Sequence, residues 1–141
     1  MKSKMSVLAA AFAVLASAAP MLAHHSFSAE FDRDKPFKAT GTVTKVDWQN
    51  PHIWFYIDVK DEKSGKVTNW GWEMGSPNGL MRRGWTRDSL KPGDRVTVAG
   101  AKARNFPTIA LASSIKDGNG KAFFTGITQV NEPQAESKES K

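Results

Sequence analysis

No cysteine occurs among the 141 residues. Disulfides, thiolate metal sites and cysteine nucleophiles are thereby excluded, and the fold has to rest on packing. Histidine is nearly as scarce. The three that occur are His24, His25 and His52, so imidazole chemistry is confined to those positions. Long apolar runs are missing too. The one run near the start, Val7 to Ala16, is too short for a membrane-spanning helix. No internal repeat is visible, no catalytic set is recognisable, and Ser76 is not flanked as a nucleophile would be. Catalysis is therefore not expected.

What is present begins with an address. Lys2 and Lys4 give a basic start, Val7 to Ala16 an apolar core, and Ser17 to Ala23 a run rich in small residues. Residues 1–23 read as a signal peptide removed on export. The mature chain would start at His24 and be periplasmic or secreted, with no membrane span. The remainder has the length of one domain with one core. Residues 24–39 form an N-terminal arm carrying Phe27 and Phe31. Residues 40–130 form the folded body. Residues 131–141 (NEPQAESKESK) lack large apolar groups and read as a disordered tail. The formal charge of +6 is spread through the chain. Nucleic acid is not expected as a partner of an exported protein.

The body reads as short strands. Thr40 to Trp48 is the first, and Gln49-Asn50-Pro51 turns the chain. His52 to Lys60 is the second, rich in β-branched and aromatic residues. Lys63-Ser64-Gly65-Lys66 closes a hairpin into Val67 to Met74. Ser76 is an N-cap with Pro77 in the first helical position, Gly84 is a stop, and Thr86 caps a further turn through Leu90. Lys91-Pro92-Gly93-Asp94 leads into Arg95 to Gly100. Ile109 to Lys116 and a short strand from Lys121 to Thr125 finish the body. The fold class is mainly β. Three strands, one short helix and two or three more strands give a small five- to six-stranded OB-like barrel. An open β-sandwich is the competing topology.

These motifs also resemble a known family. His24–Phe27 (HHSF), Asn50–Trp54 (NPHIW), Asn69–Asn78 (NWGWEMGSPN), Arg82–Asp94 (RRGWTRDSLKPGD) and Val96–Gly100 (VTVAG) together resemble a bacterial family of small exported domains of unknown function. The resemblance covers nearly all of the mature chain. It implies an exported, single-domain, barrel-like protein and carries no activity or site residues.

Side chains alternate along a strand. Ile53, Phe55, Ile57 and Val59 share the core face of the second strand, and His52, Trp54, Tyr56 and Asp58 the other. If Trp70 and Trp72 face the core, Glu73 joins His52, Trp54 and Tyr56 in one outward patch. That patch either stacks a flat ligand or shields the barrel wall. Gly71 leaves room for a ring beside it. Arg82, Arg83 and Arg87 either bind an anion or form a solvated face. The leading reading is an accessory domain that binds a small molecule, a glycan or a protein partner in the periplasm. The alternative is a copper site, copper being the one candidate cofactor. The freed His24 amine and ring would join His25 and/or His52, with Glu30, Asp32 or Glu73 adding an oxygen. Adding one residue ahead of His24 is then expected to weaken copper binding greatly in a calorimetric titration. A redox enzyme on that copper is the least favoured reading.

Overall fold

A computed structural model describes residues 27–127. Residues 1–23, read above as a signal peptide, His24, His25 and residues 131–141, read as a tail, lie outside the described residues. The elements run α1 (Phe27–Glu30), β1 (Phe31–Asp47), β2 (Trp54–Lys60), β3 (Val67–Glu73), α2 (Pro77–Met81), β4 (Arg95–Ala103), β5 (Ile109–Asp117) and β6 (Ala122–Phe124). The strands form one sheet in the order β3-β2-β1-β4-β5-β6. A parallel pairing of Gly71–Glu73 with Ile109–Leu111 joins β3 to β5. That pairing closes five strands into a ring, and β6 extends β5. The OB-like barrel is the architecture, and the open sandwich is ruled out.

β1 makes the closure possible by changing partners along its length. Its first part pairs with β4 and its second with β2, and Thr42 has a partner in each. Gly41 sits at the crossover, where a Cβ would meet the Asp58 carbonyl and approach Val59 Cγ2 to 3.2 Å.

The start of β1 differs from the sequence reading. Residues 31–39, expected as part of an arm, are strand, and Phe31 is fully buried with Ala101 and Leu111. The run Asp32 to Lys35 interrupts the register between Phe31 and Pro36. Pro36 lies where β1 has β4 as its strand partner and acquires β2 only from Thr42, an edge position of the kind in which proline is ordinarily found. Asp32 in this run pairs with Lys35 (3.4 Å) and Arg104 (3.5 Å).

The main core lies inside the ring. Ile53, Phe55 and Ile57 are fully buried, as the β2 alternation predicts, and Val59 is half-buried at the edge. Trp72 stacks on Phe37 with ring centroids 5.5 Å apart and an interplanar angle of 2°. α2 closes the barrel beneath. The Ser76 hydroxyl accepts from Gly79 N at 3.2 Å, and Leu80 is buried. Gly84 takes φ +87°, a left-handed stop that favours glycine. The stretch after Thr86 is a single turn held by Ser89 rather than helix.

Candidate functional site: a cleft on the outer face of β2 and β3

Register decides which side chains meet outside the barrel. Trp54 pairs with Glu73, Tyr56 with Gly71, and Asp58 with Asn69. Antiparallel partners project to one face, so Trp54, Tyr56 and Glu73 share the outer side. Gly71 does provide the expected space. A Cβ there would lie 3.1 Å from Tyr56 Cε1 and 2.8 Å from Ile109 Cδ1.

Two further segments lean over this face. The β1–β2 loop brings Gln49, and the β4–β5 loop brings Phe106. Arg104 N donates to the Glu30 carbonyl (2.9 Å), tying that loop to α1. Gly71 N donates to the Thr108 carbonyl (2.9 Å), tying the other end of the loop to β3. Between these supports lies an open cleft of about 440 Å³, lined by Glu30, Gln49, Trp54, Tyr56, Phe106 and Ile109.

The four-residue patch expected from the sequence divides in two. Trp54 and Tyr56 line the cleft and are half-buried. His52 and Glu73 do not line it; they pair with each other, His52 Nδ1 against Glu73 Oε1. Glu73 is only 5% exposed, so it is not part of an open surface. Gly71, Trp72 and Glu73 are all buried because this end of β3 is covered on both faces and paired on both edges. Burial pushes the Glu73 carboxyl above its ordinary value. His52 opposes that shift, and the negative charge of Glu30 adds to it.

The cleft's other walls came from residues the sequence reading had not gathered. Glu30 appeared there as an oxygen donor for a metal, while Gln49, Phe106 and Ile109 were not singled out. Phe106 carried a signal, being a large apolar residue in a loop between Asn105 and Pro107, and it is 56% exposed. The copper set is not assembled among the described residues. No three His, Asp or Glu side chains there stand together as a metal site, and His24 and His25 fall outside. Two of the three arginines lie over rings of this chain. Arg83 lies 4.7 Å from the Phe124 ring centroid and Arg87 5.7 Å from that of Trp48.

A closed OB-like barrel with an aromatic cleft on its β2–β3 face defines the class of domain. The model of a family of unknown function, DUF6152, matches residues 11–112, and the chain belongs to that family. No curated protein matches the chain. Among solved structures it is similar to the mitochondrial single-stranded DNA-binding protein Rim1 of S. cerevisiae, with 9% identity and a TM-score of 0.48. That match covers 60% of this chain and 93% of the other. No helix among the described residues is long and apolar enough to cross a membrane.

Proposed function

We propose that the domain is an exported binding module that acts without catalysis and holds a small ligand, or a small group on a larger partner, in the β2–β3 cleft. The observation that carries this reading is the position of the cleft. It lies on the strand-two and strand-three face, between the loops that join β1 to β2 and β4 to β5. In OB barrels that face and those loops are the ordinary ligand surface. The aromatic walls supply apolar area, and Gln49 and Glu30 supply the few polar groups that orient a ligand. Export rests on the basic, apolar and small-residue stretches of residues 1–23.

The test is an NMR screen of small aromatic, amine and sugar fragments against the processed protein. Binders are expected to shift Trp54, Tyr56 and Phe106 signals. Trp54→Ala is expected to abolish that binding while the thermal midpoint changes by only a few degrees, since the ring is half-buried and outside the barrel core. Fragments that bind elsewhere, or that bind the variant equally well, would overturn the reading. Collapse of the variant's fold would assign Trp54 to packing.

A further inference from the structure

Among the described residues, the partly exposed aromatic rings are almost all covered by the chain's own cations. Lys102 Nζ lies 4.4 Å from the Phe37 centroid and 5.2 Å from that of Trp70. Arg87 covers Trp48, Arg83 covers Phe124, and Lys121 covers Phe123 at 5.1 Å. Lys45 stands 5.6 Å from the Tyr56 centroid. Among the described side chains two partly exposed rings have no such cation, Trp54 and Phe106, and both line the cleft.

Charge in the cleft has the matching sign. Glu30 lines it and makes no ion pair with a described residue. The second carboxylate, Glu73, is close enough to feel the Glu30 charge. No lysine or arginine lines the cleft, although the chain carries +6. A ring face is electron-rich, and a cation over it is attracted more strongly as water is removed. An ammonium group placed here meets ring faces and a carboxylate together. A phosphate would meet the carboxylate, and the one cation over a cleft ring among the described residues, Lys45 at Tyr56, is already paired with Asp47 (2.8 Å).

We propose that the cleft binds an organic cation, an alkylammonium head group on a small apolar body, seated on Trp54 and Phe106 with Glu30 as its counter-charge. This inference rests on the binding reading above and adds the ligand's charge. Trp54 and Phe106 lack the lysine or arginine lid that the other partly exposed described rings have, Tyr56 beside them under Lys45 included, and the ligand supplies it.

The experiment uses the full processed chain and follows tryptophan fluorescence. The probes are choline and its uncharged isostere dimethylbutanol, in which a quaternary carbon replaces the nitrogen. Choline is expected to give a saturable change, with the isostere about tenfold weaker or more. Glu30→Gln is expected to weaken choline about five- to tenfold and leave the isostere unchanged. Glu30 lies outside the barrel core, so this variant should keep the parental melting curve. Trp54→Ala should abolish both signals. Equal binding of choline and isostere, lost in Trp54→Ala, would overturn the charge assignment and leave the cleft as a neutral binding site. Choline binding that is unaffected by Glu30→Gln would overturn it as well. If neither probe binds, the cation proposal fails, and the fragment screen alone decides whether the cleft binds anything.

Discussion

Gly100→Ala is expected to destabilise the barrel by about 3–5 kcal/mol, the range reserved for severe backbone and core lesions. For a domain of this size that is a fall of roughly 20 °C in melting temperature. Gly100 lies where the β4–β5 register slips. Ala99 pairs with Ser114, but Gly100 pairs with Ala112, leaving Ser113 as the extra residue of a bulge. Its backbone runs so close to β5 that an added Cβ would collide with the Leu111 carbonyl oxygen. The same Cβ would sit 2.8 Å from the Leu111 carbonyl carbon and 3.2 Å from Ser113 N. These are main-chain atoms, which cannot rotate away as a flexible side chain would. Either the ladder opens or the bulge is lost. Ser113 secures the bulge from both sides, donating its hydroxyl to the Ala99 carbonyl (3.0 Å) and accepting at its own carbonyl from Thr125 Oγ1 (3.0 Å). Circular-dichroism melting of the variant checks the prediction. A midpoint within a few degrees of the parent would show that the strands part without cost.

The bulge also reaches the cleft. Before it, Ala110 and Ala112 face the main core; after it, Ile115 does. The extra residue switches the alternation. It leaves Leu111 and Ile109 on the other side, where Leu111 packs with Phe31 and Ile109 lines the cleft.

That switch shows where sequence reasoning reaches its limit. The strand signals of β2 and β4 were legible because β-branched and aromatic residues run between turn residues. The Ser76-Pro77 cap was legible because capping is local chemistry. The two faces of β2 followed from period two, with one flank of the strand buried and the other half-open. Alternation fails where a strand is covered on both faces or carries a bulge, and Glu73 and Ser113 mark those two places. A carboxylate between Trp72 and Met74 reads as outward and solvated, yet it is buried because the chain around α1 and β5 closes over it. The first half of β1 was hidden by Asp-Arg-Asp-Lys-Pro, a run with the composition of a loop. The cleft itself is built from Glu30, Trp54 and Phe106, which lie far apart in the chain. Only the closure of the ring brings them together, and no local pattern records it.

Glu73→Gln is expected to raise the melting temperature at pH 8 and to have no such effect at pH 4. The folded protein holds the Glu73 proton more tightly than the unfolded chain does, because burial disfavours the carboxylate. Below the ordinary value of 4.5 the group is protonated in both states and the burial costs little. As pH rises through 4.5 the unfolded chain ionises first, and the native state loses ground until its own raised value is passed. Above that point the cost is constant. A glutamine of the same shape, neutral at every pH, escapes it. Its side-chain oxygen remains an acceptor for the His52 ring, so the pair is softened rather than broken. The gain at pH 8 should be on the order of 1 kcal/mol, about 5 °C in the midpoint. An equal gain at both pH values would mean that packing, not charge, sets the difference. A loss at pH 8 would mean that attraction to His52 outweighs desolvation. If the gain at pH 8 is found, the carboxylate has a reason outside the fold, and the cleft beside it supplies one. Glu73 lies beneath that cleft rather than on it, near enough for its charge and that of Glu30 to act on each other. The same variant should therefore bind choline more weakly while melting later, a trade of stability against binding that a purely structural glutamate would not show.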